Sequence, residues 1–526
     1  MVKILVADKL SSEGISILKE GGFEVDCKTG LSKDALKEII KDYEAIVVRS
    51  ETKLTADVIE AGSKLKIIGR AGVGLDNVDV GSATKKGIIV MNSPGGNTIS
   101  TCEHTFALML SLVRKIPFGH SSLKNREWDR GKFKGAELYS KILGVIGLGR
   151  IGKEVAKRAI AFGMEVLAYD PFISPEVVES LGVRIVDLKE LLSKSDIVTI
   201  HTPLTDETKN MISYNELSLM KPTAFIINCA RGGIINEGAL YQVLKDKKIA
   251  GAALDVFEEE PPLNSPLLDL DNVVVTPHLG ASTEEAQLNV SIEIAQCIKD
   301  ALLGKAIRNA ANYVQLEPEV YKIIAPYMNL GEKMGKFISQ LIRGGAKEIS
   351  ISYLGELNSF KIEPIGMALV KGFLYSVVGD NVNLINSLEV AKERGIKIEQ
   401  TKVSKEESYV NLIKVKVKTD KEERSIEGTL FSNREPRFVK LDDFYIEISP
   451  SDYMLVIQNW DKPGVIGSLG TVLGSYGVNI ANMSLGRRAP MDVAITVLNL
   501  DTALDEKVMK EIKANPNIIS LKFIKL

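Results

Sequence analysis

Short apolar runs alternate with amphipathic stretches along the first part of the chain. VKILVAD, FEVDCK, AIVVRS, LKIIGRAG and IIVMN each read as a strand, and the residues between them predict helices over 13–20, 33–41, 56–62 and 80–86. Unbroken apolar strands separated by helices are the pattern of a parallel sheet covered on both faces. A long helix is expected over 97–114 (NTISTCEHTFALMLSLVR), followed by a polar arm containing REWDRGKFKG. The alternation restarts at residue 141 with KILGVIGLG, a helix over 150–162, EVLAYD, VRIV, DIVTIHTP, AFIINCA, IAGAALDVF and NVVVTPH. That is a second doubly wound sheet, ending near residue 277. A helix over 283–302 then places Val290, Ile294, Ile298 and Leu302 at four-residue intervals, and this apolar face can carry the chain back to the first sheet.

The texture changes after residue 304. EISISYLGEL, IKIEQTKVS and YVNLIKVKVKTD are β-rich, with helices expected over 367–378 and 384–394. Residues 447–526 read as strand, helix, strand, strand, helix, strand, the ferredoxin-like βαββαβ order. The expected fold class is therefore α/β, with two doubly wound parallel-sheet domains. The first is discontinuous (1–92 and 278–303) and holds the second (93–277) as an insertion; an α+β unit (304–446) and the ferredoxin-like unit (447–526) follow.

A chain of 526 residues is too long for one core, which agrees with that division. Lys plus Arg total 66 against 68 for Asp plus Glu, so no global field favours nucleic acid or an anionic membrane. Any anionic ligand must be met by local cations. Cys27, Cys102, Cys229 and Cys297 lie far apart, without the spacing of a zinc site, and read as reduced thiols. MVKILVADKL reads as a strand rather than a signal peptide, and no apolar run approaches the roughly 20 residues of a membrane span. A soluble, cytoplasmic protein is expected.

GLGRIG follows an apolar strand and opens a helix. Gly147 permits the tight turn, Gly149 lets a pyrophosphate approach the backbone, and Gly152 allows close helix–sheet packing. The next strand ends in Asp170, where a carboxylate can accept from ribose hydroxyls and repel a 2′-phosphate, so NAD is favoured over NADP. RAGVGLDN also holds a G-x-G, at Gly72 and Gly74, but lacks the third glycine and the acidic strand end, and reads as an anion-binding turn.

With NAD implied, hydride transfer needs an acid–base group at the substrate oxygen and a cation for a carboxylate. His104 lies in an apolar helix and reads as a packed residue, and His120 as solvated in a polar loop. His201 follows DIVTI, where backbone contacts to the cofactor are as good an account as imidazole chemistry. His278 ends NVVVTPH and is the best acid–base candidate. Arg231 and Glu260 each follow a strand end, where ligands bind in open α/β sheets. A carboxylate beside an imidazole raises its pKa, and an arginine can hold a 2-oxo-carboxylate bidentately. Solvated surface charges are the plain alternative for Arg231 and Glu260.

GLGRIG, Asp170, HTPLT, NCARGGIINEGAL, GAALDVFEEEPP and TPHLGAST, in that order, closely resemble the D-isomer-specific 2-hydroxyacid dehydrogenase family. The resemblance implies Arg231, Glu260 and His278 as the catalytic trio, with Glu260 paired to His278. It also implies Arg150 and Ile151 at the pyrophosphate, and Thr202, Cys229 and Asp255 on the nicotinamide side. VRSETKLT, GRAGVGLDNVD and VMNSPGGN, with PIGMALVKGFL, VNLINSLEVAKERGI, EGTLFSNREPRFVKLDDF and WDKPGVIGSLGTVLGSYGVNIANM, extend it to the family's long-form members. Those carry an intervening allosteric substrate-binding domain and a C-terminal ACT domain, and act on 3-phosphoglycerate. Feedback by L-serine, the pathway end product, and a homo-oligomer, dimer or tetramer, are further implications.

Arg49 and Arg70 end strands of the first domain, where they can meet a phosphorylated acid; the family places a neutral hydrogen bond at Asn97. Arg130 and Lys132 in the polar arm either enter a neighbouring subunit's cleft or serve solubility. Asp461 and Asn479 flank the first ACT helix and can bind an amino acid's polar groups between chains; helix capping for Asp461 and turn chemistry for Asn479 are the plain alternatives. Two rival readings are a general glyoxylate or hydroxypyruvate reductase, which Arg49 and Arg70 count against, and a non-catalytic NAD- or amino-acid-sensing protein. The second leaves Arg231, Glu260 and His278 without a purpose.

Overall fold

The computed structural model describes residues 1–305, 307–314, 316–404, 409–432 and 434–526. Strands β1 (Lys3–Val6), β2 (Glu24–Cys27), β3 (Ala45–Val48), β4 (Ile67–Arg70) and β5 (Ile89–Met91) form a parallel sheet in the order β2-β1-β3-β4-β5. β3 is buried along its whole length, which is why it reads as an unbroken apolar run. The second parallel sheet contains β6 (Ile142–Ile146), β7 (Glu165–Tyr169), β8 (Arg184–Ile185), β9 (Ile197–Ile200), β10 (Phe225–Asn228), β11 (Gly251–Leu254) and β12 (Val273–Val275). Its order is β12-β11-β10-β9-β6-β7-β8. Strand order reverses between β6 and β9, and the crevice outside such a reversal is where open α/β sheets bind ligands.

Two helices cross between the sheets. Thr98–Val113 joins the second core, with Cys102, Phe106 and Met109 packed among Leu143, Val145 and Ala253. Glu284–Leu302 returns to the first, with Val290, Ile294 and Ile298 against Ile4, Val6 and Ile67. The seam between them is tight. Ser93 Oγ donates to Val290 O at 3.0 Å, Ser100 Oγ and Thr101 Oγ1 donate to Gly280 O at 2.9 and 3.1 Å, and a Cβ on Gly96 would stand 2.6 Å from Val290. Beyond this helix, Asn92 N donates to Asn309 O and Ala311 N to Val90 O, so the chain still lines β5 past residue 303. The polar arm is partly helical. Ile116–Lys124 is a helix entered through Lys115 at φ 54°, so the exposed His120 lies on a helix and not, as expected, in a loop.

The third sheet is mixed, in the order β14-β13-β15-β16-β17-β18, from β13 (Ala346–Gly355), β14 (Lys397–Val403), β15 (Asn411–Thr419), β16 (Glu423–Phe431), β17 (Glu435–Leu441) and β18 (Phe444–Ile448). Asn433, in the SNREP segment, lies outside the described residues. A helix absent from the sequence reading, Pro318–Leu341, packs here against Glu363–Val378. Their backbones touch at glycines: a Cβ on Gly335 would stand 2.0 Å from Leu369 O, and one on Gly372 2.1 Å from Glu332 O. The last sheet is antiparallel, β20 (Ile480–Arg487), β21 (Val493–Leu500), β19 (Tyr453–Trp460), β22 (Ile518–Lys525), in the βαββαβ order expected. The helices Val465–Ser475 and Glu506–Lys513 share one core with this sheet. Met454, Val456, Ile495, Val497 and Ile524 instead join Phe438, Phe444 and Ile446 in the core of the third domain. Among the described residues, no helix is long and apolar enough to cross a membrane.

Candidate active site

β6 delivers the chain into GLGRIG at the strand reversal. Gly147 has φ +92°, and a Cβ there would meet His201 O at 2.8 Å; a Cβ on Gly152 would stand 2.0 Å from Gly147 O. Nothing lies within 4 Å of the Cβ position of Gly149, so the turn presents bare backbone to open space. Asp170 follows β7, its carboxylate accepting from Leu148 N and Phe172 N, both at 2.9 Å. Arg150, Ile151, Thr202, Cys229 and Asp255 line an adjoining cavity of about 620 Å³. Thr202 Oγ1 and His201 Nδ1 are buried there without a hydrogen-bond partner, the condition of groups awaiting a ligand. Burial pushes the Cys229 thiol up to about 12, so it remains protonated, and pushes the His201 imidazole down to about 3. Burial thus holds His201 in its neutral form.

A second cleft of about 690 Å³ shares His278, Arg231, Asn97 and Gly74 with the first. Arg49 and Arg70, at the ends of β3 and β4, line one wall; Arg231, Glu260 and His278 line the other. His278 Nδ1 lies 2.8 Å from Glu260 Oε2. With Nδ1–H donated to that carboxylate, Nε2 carries the lone pair. The Glu260 hydrogen bond raises the His278 pKa above the ordinary imidazole value, against the lowering effect of burial. For Glu260, burial acts upward, but the His278 hydrogen bond and charge prevail and hold it below the usual carboxylate range.

His278 has φ 54°, an unfavourable backbone for a β-branched or bulky side chain, and Asp255 holds it there. Asp255 O accepts from His278 N at 2.9 Å, and its carboxylate accepts from Leu279 N, Gly280 N and Thr276 Oγ1 at 2.7, 2.8 and 2.6 Å. His104 Nε2 lies 3.1 Å from the same carboxylate. Burial would raise the Asp255 pKa, but these hydrogen bonds outweigh it and the group stays ionised. His104, expected only to pack, therefore belongs to the support of the site.

Arg231 reaches back to the first domain. Its Nε donates to Asp76 Oδ2 at 3.2 Å, its Nη1 to Ala230 O at 2.7 Å, and a Cβ on Gly74 would stand 2.1 Å from its Nη2. The second G-x-G loop is thus the bed of Arg231. Burial, then the nearby Arg231 charge, lowers the Arg70 pKa to about 10; Arg70 Nε and Asn97 Oδ1 are buried without partners. Lys53 also lines this cleft and was missed, though it stands four residues past Arg49 in VRSETK. In the last domain, Asp461 pairs with Arg487 at 3.1 Å and accepts from Met491 N at 3.2 Å, while Asn479 Nδ2 donates to Asp501 Oδ2 at 2.7 Å. Neither caps the helix Val465–Ser475, whose N-cap residue is Gly464.

Family models match in three places: the NAD-binding domain of the D-isomer specific 2-hydroxyacid dehydrogenases over residues 106–280, the D-3-phosphoglycerate dehydrogenase intervening domain over 323–442, and the ACT domain over 453–517. The chain is 47% identical over 527 residues to the D-3-phosphoglycerate dehydrogenase of Methanocaldococcus jannaschii, covering 100% of both chains. It belongs to the D-3-phosphoglycerate dehydrogenase family. A Bacillus subtilis member of that family is 42% identical, again over 100% of both chains. Among solved structures, the NAD+-bound 3-phosphoglycerate dehydrogenase of Entamoeba histolytica is 30% identical, with a TM-score of 0.51 over 60% of this chain and 99% of that one. In this family member the glycine turn and the orphaned polar groups beside it fit NAD.

Gly152→Ala tests that fit. A methyl group 2.0 Å from Gly147 O must open the turn, and NAD affinity by calorimetry should fall about tenfold or more, beyond about 1.4 kcal/mol. An unchanged Kd would contradict this account of the turn.

Proposed function

We propose that this chain oxidises 3-phospho-D-glycerate to 3-phosphohydroxypyruvate with NAD, the first committed step of phosphorylated L-serine biosynthesis. The observation that carries the reading is the convergence of Arg49, Arg70 and Arg231 with the His278–Glu260 pair on one cleft. Bound NAD supplies the acceptor for the hydride that leaves C2. Arg231 holds the C1 carboxylate, and Arg49, Arg70 and Asn97 take the phosphate from the opposite wall. Neutral His278 accepts the C2 hydroxyl proton at Nε2, and Glu260 stabilises the imidazolium that forms. Arg150 and Ile151 meet the pyrophosphate, Asp170 accepts from the ribose hydroxyls, and Thr202, Cys229 and Asp255 face the nicotinamide.

The regulatory reading is feedback by L-serine at ACT interfaces in a cytoplasmic homo-oligomer, a dimer or homotetramer. Asn479 stands just before β20 and Asp461 pairs with Arg487 at its other end, while the exposed Met483 and Leu485 of that strand offer apolar surface to a second chain. The arm carrying Arg130 and Lys132 exposes Trp128 at 78% and Leu123 at 57%, a surface suited to pairing that would bring those cations toward a neighbour's cleft.

His278→Gln should lower kcat by roughly 10²- to 10⁴-fold with NAD affinity unchanged, and a near-normal kcat would reject the assignment. In the oxidative direction kcat/KM should rise with pH as His278 loses its proton, because the imidazolium cannot accept another. Glu260 raises that ionisation, so Glu260→Gln should move the midpoint to lower pH; an unmoved midpoint would assign the titration to another group. Serine should inhibit the native chain, and Asn479→Ala should raise the half-inhibiting concentration about tenfold without changing kcat. Absence of inhibition in the native chain would sink the serine reading.

A further inference from the structure

We infer that His104 is a positioning residue for the hydride-transfer step: its Nε2–H braces the Asp255 carboxylate and, through it, the turn that aims His278. The inference rests on the reaction proposed above, in which His278 accepts the C2 hydroxyl proton.

Asn97, Ser100, Thr101 and His104 fall at i, i+3, i+4 and i+7, along one face of the helix Thr98–Val113 and its N-cap residue. Each meets the site. Asn97 lines the substrate cleft, Ser100 Oγ and Thr101 Oγ1 donate to Gly280 O, and His104 Nε2 lies 3.1 Å from both Asp255 Oδ1 and Thr276 Oγ1. The helix otherwise packs apolar side chains, Phe106 and Met109 among them, into the core of the NAD-binding domain. Polar groups on such a helix are unfavourable unless partnered, and the partners of Ser100, Thr101 and His104 all lie in Asp255 or in the turn over 276–280.

The hydrogens of this network can be placed. Asp255 is 1% exposed and ionised, so its carboxylate only accepts. Thr276 directs its one O–H to Asp255 Oδ1 at 2.6 Å, which leaves its lone pairs for His104. Nε2 therefore faces two acceptors and carries the hydrogen in either charge state of the ring. Asp255 Oδ1 takes donors from His104, Thr276 Oγ1 and Leu279 N, and Oδ2 takes Gly280 N.

Of these four donors, three belong to the His278 turn itself. They keep their bonds if carboxylate and turn shift together, so they do not fix where the turn stands. His104 is the donor that comes from outside the turn, and it ties the carboxylate to the helix that crosses between the two sheets. Losing it leaves His278 Nε2 free to drift relative to the nicotinamide, and a misplacement of about 1 Å at reacting atoms costs on the order of 10²-fold in rate.

His104→Phe keeps a flat ring but removes the donor, and His104→Gln restores an N–H; His104→Leu is a second donor-free variant if the Phe protein fails to fold. With NAD saturating and the full chain in excess over 3-phosphoglycerate, single-turnover NADH formation should fall about 10- to 100-fold in His104→Phe and return to within about threefold of native in His104→Gln. KM for 3-phosphoglycerate should change little, because Arg49, Arg70 and Arg231 are untouched. Amide hydrogen exchange over 276–280 should quicken in His104→Phe but not in His104→Gln, with β1 and β6 exchanging as in the native chain. A native rate with native exchange in His104→Phe would overturn the inference. Equal losses in the donor-free and Gln variants would overturn it too, since ring volume and not the donor would then be at work. If the native chain forms no NADH from 3-phosphoglycerate, the substrate reading fails, and the exchange comparison still decides the role of His104.

Discussion

Like charges crowded into one cleft are the constraint from which the rest of the active site follows. Arg49, Arg70 and Arg231 share a cavity wall-to-wall, and burial beside these cations lowers the Arg70 pKa to about 10. Taking guanidinium groups out of water beside one another is unfavourable unless an anion joins them. Asp76 offsets part of this by pairing with Arg231. Buried Arg70 Nε and Asn97 Oδ1 still lack partners, so the cleft is complete only with an acid carrying more than one negative charge. That requirement separates a phosphorylated hydroxy acid from its unphosphorylated analogues.

The two-domain frame exists to bring those charges to the His278–Glu260 pair. Arg49 and Arg70 end strands of one sheet, while Arg231, Glu260 and His278 follow strand ends of the other. The seam of crossing helices, through Ser93, Ser100, Thr101 and Gly280, joins the sheets beside the reacting groups. Asp255 then fixes the His278 backbone in a left-handed conformation from within the NAD-binding domain. Movement of one sheet relative to the other would alter the distance between phosphate-binding and acid–base groups without disturbing either set. The shared core of the intervening and ACT domains makes those two units one mechanical body.

Much of this was legible in the sequence where local pattern and function coincide. Strand ends carry the charged residues, and GLGRIG with Asp170 marks the dinucleotide turn. The helix Pro318–Leu341 was not legible, because Pro326 and two glycines, Gly331 and Gly335, argue against a helix on propensity alone. Close packing overrides that propensity: Gly335 and Gly372 let two helix backbones meet. His104 was read as packing because its partner Asp255 is 151 residues away, a contact that no local periodicity reports. The role of the Gly72–Gly74 turn was likewise hidden, since the side chain it cradles, Arg231, comes from the other domain.

The central claim is that the cationic cleft demands a phosphorylated substrate. Its most direct test is NADH oxidation with 3-phosphohydroxypyruvate beside hydroxypyruvate and glyoxylate, comparing kcat/KM. Loss of the phosphate leaves the buried Arg70 Nε without a partner, which at about 3 kcal/mol for a charged group corresponds to a preference of roughly 10²-fold for the phosphorylated acid. Equal efficiency with hydroxypyruvate would contradict the account.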